Sequence, residues 1–345
     1  IAHRLKEEDC KDEDIKVGPG IIKIRYTPPQ RKGIKYNPAI YFYRLMITSV
    51  YLYRLAKEEN AEIIVVGETE LLASILLKLL KIKIVCRGGA LMYETMKTEV
   101  IKEKGNTLYS RIFILLLFIY NEFTLKLPNA MVPVNKAEYS FMDNKKRKNA
   151  KILTIPHGID TSFFRPSKKK AGLKLHVGYV GRLAPIKNPE VALDIFKEAS
   201  ENVKNIEFWW IGPIDPSYDS DFFEKLKKQK GVKNAYYLGQ ISNTKLPKYL
   251  NELDIFIQVE QQKNVSRSTT EAAACGLPIV ALNQGNEPYG LFSMDKKIII
   301  NELRKLIREK NYRTLSGNKN RKIIEENYSE DKIYGRYLNL FKEIV

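Results

Sequence analysis

Apolar residues along the chain fall into two alternating patterns. Short runs rich in β-branched residues indicate strands: IIVV (63–66), KIVC (83–86), AMVPV (130–134), KILTIP (151–156), LHVGYVG (175–181), IEFWWIG (206–212), AYYLG (235–239), DIFIQ (254–258) and PIVAL (278–282). Between most of them lie segments with a helical spacing of apolar residues, such as ELLASILLKLLK (70–81) and VALDIFKEAS (191–200). Strands that alternate with helices predict an α/β fold with parallel sheets, and continuous apolar strands fit sheets that helices cover on both faces.

The segment RPSKKKAG (165–172) separates two such series and contains proline, glycine, serine and a run of lysines. This composition predicts a boundary between two doubly wound, Rossmann-like domains, residues 1–165 and 166–328, that face a cleft. Residues 329–345 are expected to form a helix that packs back on the first domain. The first residues, IAHRLKEED, have the pattern of a helix end, and the chain starts with Ile. We therefore expect an N-terminally truncated first domain that has lost a strand and a turn.

Charge narrows the choice of partner. The chain has 58 Lys and Arg against 40 Asp and Glu over 345 residues, a formal net charge of +18. This excess predicts an anionic partner such as nucleic acid, anionic lipid or a phosphorylated substrate. Three cysteines and three histidines are too scattered for a disulfide framework or a zinc site, so we expect a reducing, cytoplasmic location and no metal cofactor. The longest apolar run, IFILLLFIY (112–120), has about half the ~20 residues that span a bilayer.

Two cations follow the predicted strand over residues 175–181. Arg182 comes directly after Gly181, and Lys187 follows five residues later, just before a helical segment. The carboxyl ends of strands are where doubly wound sheets bind ligands, so this position favours an anion site. Solvated loop charges on a basic protein are the ordinary alternative.

The stretch VSRSTTEAAACGLPIVAL (265–282) predicts a short helix that Ser268 and Thr269 introduce. Free amides at a helix N-terminus bind anions, and the small residues 272–275 allow close packing or the close approach of a ligand. Glu271, one turn into this helix, would accept paired hydrogen bonds from a ribose diol. A carboxylate that complements the helix dipole is an equally good interpretation.

Together with TIPHGIDTSFFRP (154–166), these stretches resemble the retaining glycosyltransferases of family four, which have the GT-B fold. The matching segments are IPHGIDTSFFRP, GRLAPIKN and EAAACGLPIV, and they occur in the family's order at plausible spacing. The resemblance covers nearly the whole chain. It is strongest over residues 127–282 and weakest in the first 60 residues.

The resemblance implies a role for each matching residue. Arg182 and Lys187 would bind the diphosphate of a nucleotide-sugar donor and stabilise the leaving nucleoside diphosphate, so that no metal is needed. Glu271 would hold the ribose hydroxyls. The other implied donor-site positions, against the phosphates or beside the base, are Ser268, Thr269, Gly181, Gly212 and Gln240. Retention would proceed by front-face attack, since the sequence shows no obvious enzymic nucleophile.

The chain departs from the family pattern in two places. Lys263 stands where the family has the first glutamate of its motif, which faces the donor sugar. Either Glu260 supplies a carboxylate through a changed loop, or the site takes a different donor such as an acidic or additionally phosphorylated sugar, or activity is lost. Arg87, Gly88 and Gly89 occupy the region of a family histidine on the acceptor side. Arg87 would contact an acceptor phosphate there, although a salt-bridged arginine at a strand end is the more ordinary interpretation.

Basic amphipathic segments of the first domain suit an anionic membrane surface, and core helices with solvated lysines are the alternative. These segments are residues 42–57, 96–104, 110–126 and 145–148. The leading hypothesis is a metal-independent retaining transferase that moves a sugar from a nucleotide donor to a lipid-linked or glycan acceptor. The second is a degenerate relative that binds a nucleotide sugar or a partner subunit without turnover. A nucleic-acid binder is weaker, because the basic clusters belong to no recognised module.

Overall fold

The computed structural model describes residues 2–5, 13–17, 20–27, 38–67, 73–88, 97, 100–101, 105–146, 148–167, 174–260 and 265–345. The chain divides into two compact units. The first unit contains residues 1–156 and 334–345, and the second unit contains residues 157–333. The predicted linker lies partly outside the described residues, because 168–173 are not among them.

The first unit is built on a sheet whose described strands run in the order β2-β3-β1-β4-β5-β6-β7. The strands are β1 (Ala2–Leu5), β2 (Glu13–Val17), β3 (Gly20–Thr27), β4 (Ile63–Val66), β5 (Lys83–Arg87), β6 (Ala130–Val132) and β7 (Lys151–Ile152). Neighbouring strands pair in parallel, except that β2 and β3 pair antiparallel. The parallel first sheet that the sequence predicts is therefore confirmed, with β2 as an antiparallel strand at its edge.

The interpretation of the first residues, IAHRLKEED, as the end of a helix is wrong. Ala2–Leu5 form a strand that lies between β3 and β4, with Ala2 opposite both Ile24 and Val65. A segment of this length has no decisive periodicity, so pairing with two distant strands determines its conformation. The alternation in IIKIRY, residues 21–26, was a signal for β3 that the sequence analysis did not use.

In the described part of the first unit, the helices that accompany this sheet include α1 (Pro38–Glu58), α2 (Ala73–Leu79), α3 (Leu108–Thr124) and α4 (Lys136–Lys145). Its core contains Leu52 of α1, Leu77 of α2 and the apolar side chains of β4 and β5. The C-terminal helix α11 (Glu330–Ile344) contributes residues to this unit as well. There Lys151 forms an ion pair with Glu343 over 2.9 Å, and Arg336 donates a hydrogen bond to the Thr154 carbonyl.

The second unit has a parallel sheet with the described strand order β10-β9-β8-β11-β12-β13. The strands are β8 (Leu175–Val180), β9 (Ile206–Ile211), β10 (Ala235–Gly239), β11 (Ile255–Val259), β12 (Ile279–Leu282) and β13 (Leu291–Ser293). The five strands predicted here, β8 to β12, are confirmed, and the α/β class with them. Strand β13 was not predicted, because its three half-buried residues show no periodic pattern.

Helices cover both faces of this second sheet, and one buried apolar cluster lies on each face. The helices of this unit are α5 (Pro189–Ala199), α6 (Phe222–Lys230), α7 (Leu246–Glu252), α8 (Arg267–Ala274), α9 (Lys296–Arg308) and α10 (Lys310–Asn327). The two ends of the second unit meet. Ile159 donates its N–H to the Tyr328 carbonyl over 2.9 Å, and the Ile159 carbonyl accepts the N–H of Glu330 over 3.1 Å.

Candidate functional site

The strand order of the second unit locates its ligand site. Strand β8 has β9 on one side and β11 on the other, so the chain connections run in opposite directions from it. In open parallel sheets a ligand crevice forms at such a switch point, outside the carboxyl ends of the strands. Here those ends carry Gly181 after β8 and Glu260 after β11. The loop with Arg182 and Lys187 therefore lies at the place where the topology predicts a site.

Gly181 and Gly212 shape the backbone at this edge. The N–H of Gly181 donates to the Ile211 carbonyl over 2.8 Å, and the Gly181 carbonyl accepts a hydrogen bond from Trp210 Nε1 over 3.0 Å. Gly212 has φ +146°, and a Cβ on it would overlap the carbonyl oxygen of Gly181. Only glycine fits such a contact and such a dihedral angle without strain. Both glycines thus let the two loops run against each other.

Arg182 lies in the loop that follows the carboxyl end of β8. Its side chain is 62% exposed, and its Nη1 lies 3.3 Å from Oδ2 of Asp215. Asp215 also accepts hydrogen bonds from the N–H and the hydroxyl of Ser217. Those Ser217 bonds, together with Arg182, lower the pKa of Asp215 below its ordinary value. The carboxylate stays ionised, so it can hold the exposed guanidinium in place.

Lys187 is held more tightly than Arg182. It ends a 3-10 turn over Pro185–Lys187, and Asn188 then adopts φ +43° before α5 begins. Asparagine tolerates this left-handed conformation better than most residues. The Lys187 Nζ lies 2.5 Å from Glu260 Oε1, with the side chains only 18% and 3% exposed, respectively. The turn thus delivers the ammonium to a buried carboxylate.

Glu260 is a site residue whose contact with Lys187 the sequence analysis missed. Besides Lys187 it faces the hydroxyl of Tyr179, which lies 3.4 Å from Glu260 Oε1. Burial, and then the charge of Glu260, raises the pKa of Tyr179 well above its ordinary value. Tyr179 therefore stays a neutral hydrogen-bond donor. Lys263, the residue from which a role for Glu260 was inferred, lies outside the described residues.

The start of α8 lies beside the same strand end. The Ser268 hydroxyl donates to the Val180 carbonyl over 2.7 Å, and the Thr269 hydroxyl donates to Gln258 Oε1 over 2.6 Å. Ser266 Oγ lies 2.9 Å from Ser268 Oγ and 3.0 Å from Thr269 Oγ1. These hydroxyls thus fix the start of α8 against the last residues of β8 and β11.

Glu271 lies in the fifth position of α8 and is buried. Its Oε1 lies 3.0 Å from Nε of Arg267, one turn earlier. Burial raises the pKa of Glu271, and the opposing effect of Arg267 is smaller. Gln240 is exposed and directly follows β10, so it too lies at the carboxyl edge of the sheet.

The acceptor-side residues lie in the first unit. Arg87 Nη1 donates to the Ile155 carbonyl over 3.3 Å and hydrogen-bonds the hydroxyl of Tyr337, whose ring centroid is 5.5 Å from the guanidinium carbon. These contacts give Arg87 a part in the packing of α11. Gly88 has φ +48°, and a Cβ there would lie 3.5 Å from Glu138 Oε2. Gly89 lies outside the described residues.

Among the described residues, no group of three or more His, Cys, Asp and Glu side chains could hold a metal ion. Across the same residues no helix is long and apolar enough to cross a membrane.

Comparisons of sequence show that the second unit is similar to a known family. Residues 160–327 match the model of the family glycosyl transferases group 1. The chain is 25% identical over 167 residues to D-inositol 3-phosphate glycosyltransferase of Segniliparus rotundus. This aligned segment covers 44% of this chain and 36% of that protein. It is 23% identical over 198 residues to 2-deoxystreptamine N-acetyl-D-glucosaminyltransferase of Niallia circulans, which covers 54% of this chain and 50% of that protein. The matches thus span half or less of these curated relatives.

Comparisons of structure cover both units. Sucrose-phosphate synthase from Thermosynechococcus elongatus has a TM-score of 0.72 and 16% identity, over 99% of this chain and 88% of that one. The Anabaena protein Alr3699/HepE, solved in complex with UDP, has a TM-score of 0.66 and 12% identity, over 93% and 86%. These likenesses confirm the GT-B fold that the sequence predicts.

Proposed function

We propose that this chain transfers a sugar from a nucleotide-sugar donor to a lipid-linked or glycan acceptor, since its residues 160–327 match the family model of glycosyl transferases group 1. The observation that carries the proposal is that Lys187 contacts Glu260 at the end of β11 while Ser268 of α8 contacts Val180 at the end of the neighbouring strand β8. A cation and helix amides that converge on one strand end suit a diphosphate. Relatives and solved neighbours of similar fold support the same donor class.

The reaction requires stabilisation of a leaving group that gains negative charge. As the bond between the sugar and the phosphate breaks, the nucleoside diphosphate takes up the electron pair. Arg182 and Lys187 would stabilise this charge together with the amides of α8, so the mechanism needs no metal ion. The acceptor hydroxyl would attack from the face that the diphosphate leaves, which retains the configuration at the sugar.

The remaining donor contacts follow from the same placement. Glu271 would accept hydrogen bonds from the ribose hydroxyls, and Gly212 and Gln240 would flank the base. The Anabaena neighbour was solved in complex with UDP, so uridine nucleotides are the first donors to test here. Lys263, in place of a family glutamate, is proposed to face the donor sugar, and Arg87 with the two glycines after it to mark the acceptor side.

A surface of the first unit suits the membrane contact that a lipid-linked acceptor requires. Helix α3 turns its partly polar face inward, with Ser110, Asn121 and Thr124 buried. It exposes large apolar side chains at the spacing of one helix face, and we name this set the α3 apolar face: Leu108, Ile112, Leu115, Leu116, Ile119 and Phe123.

Exposed apolar sets of this extent mark interaction surfaces in soluble domains. Arg111 and Lys126 are exposed on and just after α3, and the net charge of the chain is +18. Basic groups beside an apolar helix face suit the headgroups and acyl chains of an anionic membrane. We therefore place the protein at the cytoplasmic face of a membrane, held peripherally.

Thermal stabilisation by a panel of UDP-, GDP- and ADP-sugars, with and without EDTA, tests the proposed function. We expect a shift of the melting temperature with one nucleotide that EDTA leaves unchanged, together with release of the nucleoside diphosphate when acceptor is added. Binding without any release would favour the non-catalytic binding protein instead. No shift with any nucleotide would contradict the donor site.

A further inference from the structure

We propose that Glu260 is a built-in competitor for the donor diphosphate. Its carboxylate holds the Lys187 ammonium when no phosphate is bound and must yield it when a diphosphate enters. The inference rests on the proposed function, since it assigns Lys187 to the diphosphate. It adds a residue that tunes how tightly the site holds nucleotide.

Burial sets this ion pair apart from the others at the same strand ends. Arg182 pairs with Asp215 and Arg267 pairs with Glu271, and in each of these pairs the cation is more than 60% exposed. Lys187 and Glu260 are 18% and 3% exposed, and 2.5 Å separates Nζ from Oε1. Water weakens the first two pairs strongly, whereas a buried pair keeps most of its attraction. Of these three cations, Lys187 is therefore the one whose charge is most fully compensated by its partner carboxylate.

The position of Glu260 makes this compensation consequential. It directly follows β11 at the switch point, and its N–H lies 3.3 Å from the Leu282 carbonyl, which fixes its backbone at the sheet edge. A phosphate that approaches Lys187 therefore also approaches a carboxylate. Like charges at short range in a poorly hydrated site raise the free energy of the complex.

Tyr179 allows the exchange to take place without leaving Glu260 unsatisfied. Its hydroxyl lies 3.4 Å from Glu260 Oε1 and the same distance from the Val259 carbonyl. If Lys187 turns to a phosphate, the carboxylate keeps this neutral donor. Removing the negative charge of Glu260 should then strengthen binding of any diphosphate, while the shape of the site is preserved.

The test is isothermal titration calorimetry of the full chain with UDP and with inorganic pyrophosphate, for wild type and Glu260→Gln. We expect the glutamine variant to bind both ligands about tenfold more tightly. Glu207→Gln is the matched control: Glu207 is also a largely buried carboxylate paired with a lysine, Lys174, but it lies at the opposite end of the same sheet. It changes the net charge equally and should leave the affinity unchanged.

A second background shows whether Glu260 acts through Lys187. In Lys187→Ala, the added substitution Glu260→Gln should improve affinity by much less than in wild type. If Glu260→Gln does not fold, Glu260→Ser replaces it and removes the same charge. Unchanged or weaker UDP binding in these variants overturns the competitor role and leaves the transferase proposal standing. Failure of wild type and every variant to bind any nucleoside diphosphate overturns both.

Discussion

Gly212 lies against Gly181 so closely that a Cβ on Gly212 would overlap the carbonyl oxygen of Gly181. The contact joins the loops that follow β8 and β9, and the N–H of Gly212 donates to the carbonyl of Gly239, the last residue of β10, over 2.8 Å. Three strand ends are therefore linked through one residue without a side chain. The loop that carries Arg182 owes its course to this contact.

Gly212→Ala should lower the free energy of unfolding by about 3 kcal/mol or more, because φ +146° and the overlap both penalise a side chain. Urea denaturation of the variant and of wild type measures this loss in the free energy of unfolding. Gly239→Ala is the control: it has φ +72° but open space around an added Cβ, and should cost about 1 kcal/mol. Equal losses for the two variants would show that the overlap relaxes and that only the dihedral angle matters.

Arg182→Ala should lower transferase turnover by about 100- to 1,000-fold, as expected when a preorganised group that stabilises a leaving anion is lost. Its melting temperature should stay unchanged, since the side chain is mostly exposed and its ion pair is solvated. Release of the nucleoside diphosphate, followed with a coupled assay, measures the rate. Lys225→Ala removes an exposed cation from α6 and should leave the rate unaltered. Turnover of Arg182→Ala at the wild-type rate would exclude Arg182 from the diphosphate site.

Glu271→Gln should raise stability and lower donor affinity together. The pKa of Glu271 is raised by burial, so its neutral form favours folding below the ordinary pKa, and this contribution is lost as pH rises through the folded pKa. At neutral pH the glutamine variant should therefore melt about 2 °C higher, and the gain should fade toward pH 4.

Calorimetric scans at several pH values, together with titration of UDP, measure both effects. Glu326→Gln on the exposed face of α10 is the control and should show no such gain. If Glu271→Gln bound UDP as well as wild type, the carboxylate would be a structural group and not a ribose ligand.

Leu115→Glu combined with Ile119→Glu should abolish most binding to anionic vesicles. Both residues belong to the α3 apolar face and are exposed, so the fold should tolerate the charges. Sedimentation with vesicles of phosphatidylglycerol and phosphatidylcholine measures binding, and vesicles of phosphatidylcholine alone should bind less. Leu315→Glu places a charge at an exposed apolar position of α10 in the second unit and should change nothing. Equal vesicle binding by the double variant and wild type would contradict the membrane surface.

The sequence predicts strands β9 and β11 of the second unit well because most of their residues are apolar and buried. IEFWWI and IFIQV each contain a single polar residue, and each becomes a strand of the parallel sheet. Ala2–Leu5 shows the opposite case. Four residues with one strong apolar side chain have no period, and their conformation depends on strands that lie up to about 60 residues away. Local pattern cannot predict that pairing.

In the candidate site, too, the sequence predicts the local features and not the contacts between distant segments. Motifs placed Lys187 at a strand end, and β8 is indeed the strand that precedes it. The contact with Glu260 joins residues 73 positions apart. It exists because β8 and β11 are neighbours in the sheet although two strands separate them in the chain. Sequence spacing shows which residues stand at strand ends, and only the strand order shows which of those ends meet.

The hydrogen bonds of Ile159 with Tyr328 and Glu330 bring the two ends of the second unit together. Its first and last segments are hydrogen-bonded to each other, so the chain enters and leaves this unit at neighbouring positions. Units with adjacent ends tolerate excision, exchange and insertion, because neither junction has to lengthen. Recombination at residues 157 and 333 would therefore exchange the second unit as one piece. Under the proposed function, such an exchange would change the donor that is bound and leave the acceptor-side residues unchanged.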